Sequence, residues 1–281
     1  MAAPSFDAVS ERPDAITLAS AAEPGPAIIA STAQVVNVNG WNVVDVSRDQ
    51  LIRELADLAT SGRPSTAICL HVSALGERTP QIRQAMRRVD MAYADGWSIV
   101  ALARIAGARR IQRSTLTYLA HDLLDHLADR LGRPVGVALL GGPPGVAEKA
   151  AASLERDHKL KVVYTADGYA EPAIWEQRLS ELRPLEPDVI FVGLGYPREV
   201  EWSATYVDSL TSGLVLTAGG FFGYMVGDER IAPRWIRASA LEWAWRLSQD
   251  PKRLFGRYAR GLVNFLRIGA AMAWQRWRPG R

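Results

Sequence analysis

Three times from residue 134 onward a run of apolar residues stops abruptly in glycine. Pro134–Leu140 runs into Gly141-Gly142-Pro143-Pro144-Gly145, Val189–Val192 into Gly193-Leu194-Gly195, and Leu214–Ala218 into Gly219-Gly220. Short apolar runs without alternation are what strands buried on both faces require. In a parallel sheet such strands end at one edge, and the crevice beyond that edge is where α/β folds place their ligands. The sequence therefore predicts an α/β, Rossmann-like fold, a mostly parallel sheet flanked by helices, with a nucleotide along its carboxyl edge.

Within the stretch Pro187 to Trp202 the apolar run and its glycine turn are followed at once by Pro197, Arg198, Glu199 and Glu201. Polar groups just past a buried strand locate the active cleft here. The same residues also describe a structural strand followed by an ordinary helix cap, and a fold does not fix a function. The glycine turn at 141–145 leads into a helix, and backbone N–H groups with a helix dipole make an anion site. Its spacing is not G-x-G-x-x-G, and no acidic residue closes a second strand about twenty positions on. A nicotinamide dehydrogenase is disfavoured.

Upstream, alternating apolar residues around Asn39-Gly40 predict a hairpin over Val35–Val46, and Ser47 caps a helix running to Leu58. Strands are expected at Thr66–Val72 and Met91–Tyr93, helices at Pro80–Arg88, Ser98–Ala106 and Thr117–Leu131. The strand ending at Tyr93 delivers Ala94-Asp95-Gly96. At a strand end Asp95 would project into the cleft, where a carboxylate can take a proton from an attacking hydroxyl; Asp-Gly is equally a common turn pair. Arg109, Arg110 and Arg113 form a cationic cluster, open to either a diphosphate or solvent.

Composition removes several classes. In 281 residues, 48% are hydrophobic and 22% charged, as in an ordinary soluble globular protein. A single cysteine, Cys69, allows no internal disulfide, and four scattered histidines suggest neither zinc nor imidazole-based metal catalysis. The net charge of +3 is a tail property: residues 251–281 hold 8 basic groups and no acidic one, leaving 25 basic against 30 acidic elsewhere. Residues 1–34, rich in Ala, Pro and Ser, are expected to be a disordered leader without a secretory signal, and the protein to be cytoplasmic.

ADG at 94–96, LLGGPPGVAEKAA at 139–151, PDVIFVGLGYPREVEW at 187–202, AGGFF at 218–222, A-P-R-W at 232–235 and LEWAWRLSQDPKRLFGRY at 241–258 stand in one order. That ordered set resembles the WecG/TagA/CpsF family of bacterial glycosyltransferases, glycosyltransferase family 26, from about Val35 to Tyr258. The resemblance implies inverting transfer of a hexose-type sugar from a UDP-sugar to a polyprenyl diphosphate-linked saccharide acceptor in surface or exopolysaccharide biosynthesis. It makes Asp95 the general base and puts Gly96, Gly141, Gly142, Gly193, Gly195, Pro197, Arg198, Glu199, Gly219, Gly220 and Phe221 around the nucleotide and sugar, with Arg113 near the diphosphate. No D-x-D stands where a divalent metal would bridge that diphosphate, so neither metal nor other cofactor is expected.

The chain departs from the family pattern at polar positions. Ala67 and Cys69 stand where threonine and asparagine are usual, Leu116 and Tyr118 replace Gly and Asp, and a PKQE-type motif has become Pro197-Arg198-Glu199-Val200. Gly223 and Ile231 replace a usual aspartate and arginine. The glycine framework survives, which leaves two readings: a different donor sugar, or a catalytically silent relative that binds a nucleotide-sugar or an assembly partner.

The chain divides on this reading into the leader, an α/β domain over 35–250 and a basic amphipathic tail over 251–281. Arg253, Arg257, Arg260 and Arg267 share one helical stripe, while Phe255, Tyr258, Leu262, Phe265 and Leu266 lie largely on another. This describes either a helix on an anionic membrane surface, with Trp274 and Trp277 as anchors, or a terminal helix packed on the body. On the first reading the arginines contact lipid or diphosphate, and the protein sits on the inner face of the plasma membrane. No recognised nucleic-acid module accompanies the charge, and a homo-oligomer leaves no mark to read.

Overall fold

The computed structural model describes residues 33–76, 79–156, 159–227, 231–233, 235, 236, 239 and 241–277. The leader expected over 1–34 lies outside them except for its last two residues, as does Arg234 of the A-P-R-W motif. The hairpin is β1 (Val35–Val38) and β2 (Trp41–Val44), antiparallel and paired Val38 to Trp41. Its turn puts Asn39 at φ 50 and Gly40 at φ 87, the left-handed pair that a two-residue hairpin demands. Ser47 then caps α1 (Arg48–Ala59), its hydroxyl accepting from the Gln50 N–H.

The chain continues through β3 (Ser65–Leu70), α2 (Pro80–Met86), β4 (Met91–Ala94), α3 (Trp97–Ile105), α4 (Leu116–Leu131), β5 (Val135–Gly141), α5 (Val146–Leu154), β6 (Leu160–Ala166) and α6 (Pro172–Leu182). There follow β7 (Val189–Gly193), α7 (Arg198–Tyr206), β8 (Leu214–Thr217), α8 (Phe221–Met225), α9 (Glu242–Gln249) and α10 (Pro251–Trp277). Strands β3 to β8 form one parallel sheet in the order β4-β3-β8-β7-β5-β6.

Strand periodicity divides the core. Along β7, Val189 and Phe191 join a cluster with α1, α4, α5 and α8, whereas Ile190 and Val192 face a cluster built on α6 and α7. β4 does the same, with Met91 and Tyr93 on the first face and Ala92 and Ala94 beside α2 and α3 on the other. Burial on both faces is why these strands read as continuous apolar runs.

The chain leaves β5 toward β6 and leaves β7 in the opposite direction, toward β8. Their carboxyl ends therefore form the switch point at which open α/β sheets carry ligands. Gly141, at φ 144, and Gly193 flank it, and a Cβ at Gly141 would lie 2.4 Å from the Gly193 carbonyl oxygen. Only glycine lets these two strand ends run together.

α10 answers the question the tail sequence left open by having two apolar faces. Leu254, Gly261 and Ile268 are buried toward the body, Gly269 lies against Leu102 of α3, and Arg276 donates to the Ile105 carbonyl at 2.7 Å. Phe255, Leu262, Val263, Leu266, Trp274 and Trp277 are exposed. No helix among the described residues is long and apolar enough to cross a membrane.

Candidate active site

The carboxyl edge of the sheet presents, in order, Asp95 after β4, His71 after β3, Gly219 after β8, Gly195 after β7, Gly141-Gly142 after β5 and Gly168 after β6. With strands about 4.8 Å apart, Asp95 and the β7 turn are about 14 Å from each other along the edge. An extended ligand lying along the edge can touch both.

Asp95 is half-buried and its backbone is pinned on both sides. Its N–H donates to the Leu70 carbonyl at 3.1 Å, its own carbonyl accepts from the Thr115 hydroxyl at 3.0 Å, and the Ser114 N–H donates to the Ala94 carbonyl at 2.9 Å. Gly96 is the N-cap of α3 and supplies no side chain to it. Nearby, burial pushes the Cys69 thiol well up, and the charges of Asp95 and Glu199 push the same way.

Glu199 lies in the first turn of α7, where a charged residue reads as a solvated cap, yet it is only 5% exposed. Its Oε2 accepts from the Gly219 N–H at 3.0 Å, and the Gly195 amide also donates to the carboxylate, so one side chain ties the turns after β7 and β8. Burial, with a further contribution from Asp95, pushes its carboxyl up to about 7 against the opposing effect of those two amides and Arg198.

The glycines divide into two groups. Gly141, Gly142 and Gly193 pack against neighbouring protein atoms: the Gly142 N–H donates to the Gly193 carbonyl at 3.2 Å, and a Cβ on Gly193 would meet the Phe222 ring at 3.1 Å. Their role is close strand packing, and the Gly142 amide already has an acceptor. Gly195 and Gly219, both with positive φ, have nothing within 4 Å of an added Cβ and border the open cleft. Gly220 is exposed beside them, while Phe221 is core, its ring 5.2 Å from that of Phe191.

Pro197 follows a cis peptide bond, and the Arg198 guanidinium donates to the Leu194 carbonyl at 2.8 Å. Arg198 also borders a cavity of about 490 Å³ whose lining includes Gly168, Tyr169, Trp175, Leu194 and Trp202. Trp175 and Trp202 meet edge-on at 5.4 Å, and the buried Trp202 indole N–H has no acceptor among the described residues.

At the other end of the edge α9 closes over the Asp95 loop. Arg113 pairs with Glu242, the first residue of α9, and its Nε donates to the Thr115 hydroxyl at 3.2 Å. Arg246, one turn further, donates to Glu242 at 3.2 Å and stands 5.1 Å over the Tyr224 ring. Burial works against its charge, but Tyr224, Asp95, Glu242 and Tyr258 around it hold the guanidinium above its ordinary value. Arg246 and Glu242 escaped the sequence reading because the partners that bury them, Arg113, Tyr118 and Tyr224, are remote in the chain; their one mark was the i, i+4 pair of opposite charges inside LEWAWR.

Of the tail arginines, Arg260 and Arg267 are exposed on α10, and the side chains of Arg253 and Arg257 lie outside those described. Among the described residues no group of three or more His, Cys, Asp or Glu converges as metal donors.

A sheet edge with carboxylates and a half-buried arginine at one end and an aromatic recess at the other is an arrangement along which an extended, anionic ligand can lie. Residues 36–281 match the model of the Glycosyl transferase WecG/TagA/CpsF family, and the chain belongs to that family. Its chemistry is glycosyl transfer, between a nucleotide-sugar donor and a glycan acceptor.

Proposed function

We propose that the chain is an inverting hexosyltransferase that moves a sugar from a UDP-sugar to a polyprenyl diphosphate-linked glycan in surface or exopolysaccharide assembly. The observation that carries this reading is the order of groups along the sheet edge: carboxylate, arginine, glycine turns, aromatic recess. Asp95 takes the proton of the acceptor hydroxyl as that oxygen bonds to the anomeric carbon. The bond from that carbon to the β-phosphate oxygen breaks, its electron pair leaves with UDP, and the configuration inverts. Arg246, with Arg113 behind it, neutralises the charge growing on the diphosphate, so no metal enters the reading. The recess of Tyr169, Trp175 and Trp202 takes the base, whose carbonyl would accept from the unpartnered indole N–H. Gly195, Pro197, Arg198, Glu199 and Gly219 border the diphosphate and sugar between the two ends.

The test is a UDP-release assay with UDP forms of glucose, mannose and galactose, their N-acetyl derivatives and uronates, each with short polyprenyl diphosphate-saccharide acceptors. Acceptor-dependent turnover of one donor is expected. Silence across the panel with UDP still bound overturns the enzyme and leaves a silent relative.

The acceptor's lipid requires a membrane surface, and the exposed face of α10 suits one. Phe255, Leu262, Leu266, Trp274 and Trp277 would enter the interface while the neighbouring arginines meet anionic headgroups. On this reading the protein is peripheral on the inner face of the plasma membrane. At about 1 kcal/mol for each arginine, replacing Arg260 and Arg267 together with glutamine is expected to weaken binding to anionic vesicles by about 30-fold. Unchanged sedimentation with vesicles would refute the assignment.

A further inference from the structure

A continuous chain of polar contacts joins Asp95 to α9. The Thr115 hydroxyl donates to the Asp95 carbonyl at 3.0 Å and accepts from Arg113 Nε at 3.2 Å. Arg113 Nη2 donates to Glu242 Oε2, while Glu242 Oε1 accepts from Arg246 Nη2 at 3.2 Å and from the Tyr118 hydroxyl at 3.5 Å. Glu242 is 7% exposed and is the group at which the two ends of this chain, 129 residues apart, are fastened.

We infer that Glu242 is a positioning residue: its carboxylate sets the register between the Asp95 loop and Arg246, so that base and diphosphate-binding cation come together only when α9 is docked. The inference rests on the roles given above to Asp95 and Arg246. The physical case is geometric. Arg246 stands over the Tyr224 ring and has a buried Nε without an acceptor among the described residues, so beside that ring contact its orientation depends on the Nη2 hydrogen bond that Glu242 supplies. A buried carboxylate is tolerated only when donors surround it, and the donors here come from both walls, Arg113 and Tyr118 on one side and Arg246 on the other. Removing the charge frees both arginines at once. A residue that merely stapled α9 to the body would change stability and leave ligand affinity alone.

The experiment measures UDP affinity by calorimetry, with the melting temperature, for wild type, Glu242→Gln, Arg246→Gln and the double variant. Positioning predicts that Glu242→Gln weakens UDP binding about tenfold and that the same change made on Arg246→Gln adds almost nothing. Glu242→Asp, which keeps the charge but withdraws it by one methylene, is expected to lose affinity as well, and it stands in should the glutamine variant not fold. Wild-type affinity in both Glu242 variants, whatever their melting temperatures, overturns the inference, as do fully additive losses in the double variant. A wild type that binds no UDP sinks the functional reading itself, and the positioning role with it, before any variant is compared.

Discussion

Asp95→Asn is expected to lower acceptor-dependent UDP release by about 10²- to 10⁴-fold, the span over which a positioned general base contributes. The substitution removes the proton acceptor and, with it, a negative charge that acts on Arg246 and Glu199. Asp95 is held by its backbone, through Leu70 and Thr115, and its carboxylate engages no hydrogen-bond donor among the described residues. Asparagine therefore fits the same loop; the melting temperature should stay close to wild type, and UDP affinity should not fall, since the charge removed is negative and the ligand is an anion. In a concerted displacement the acceptor hydroxyl would then have to attack with its proton still attached, and the loss falls on kcat. Measuring UDP release under saturating donor and acceptor, beside UDP binding, separates the outcomes. Turnover within tenfold of wild type removes Asp95 from the base role; equal loss of binding and turnover would make it a binding residue.

What the sequence could and could not announce follows the distance over which each feature is determined. Asn39-Gly40 and the Ser47 cap are local, since a left-handed turn pair and a hydroxyl reaching an amide three residues on are written in adjacent residues. The strands were legible because burial on both faces leaves no room for polar alternation, and Asp95 because it follows one. The order of the sheet was not legible. β8 inserts between β3 and β7, a pairing of Ser65 with Leu214 that depends on packing across most of the chain. Residues 117–131 were readable as a helix, whereas the reach of Glu242 back to Arg113 and Tyr118 across that helix's start was not.

The tail shows a different limit. Its arginine stripe and apolar residues are evident in the sequence, but one helical pattern with two apolar faces does not say which face meets the body. The structure buries Leu254 and Ile268 and leaves Phe255 and Leu266 outside. Glu199 was legible as a polar residue just past a buried strand and illegible as a buried one, because its burial comes from the β8 turn folding onto α7 and not from its neighbours in sequence.

That burial carries the second large prediction. Glu199 has its carboxyl pushed up to about 7 from an ordinary 4.5, so the folded state holds a proton that the unfolded chain has released. Between those two values the native protein binds more protons than the unfolded one, and stability falls as pH rises. The stabilisation is whole below about pH 4.5, is lost through about pH 7, and is level above, a change of about 3 kcal/mol from this one group. Glu199→Gln cannot titrate, and should lack that slope. Its amide oxygen can still accept from the Gly219 N–H, and any strain from its amide hydrogens against Gly195 is the same at every pH and cancels in the comparison. Denaturant unfolding at pH 5 and pH 8 gives the result directly: part of the change is already complete at pH 5, and the wild type is expected to lose about 2.5 kcal/mol more than the variant between the two. Equal losses would mean that Glu199 is ionised throughout and satisfied by its amides. A stability cost borne at neutral pH by a residue that joins the turns after β7 and β8 fits a group kept for the ligand and not for the fold. The two amides it occupies border the cleft between the Asp95 end and the aromatic recess, where the diphosphate and sugar of the donor would lie.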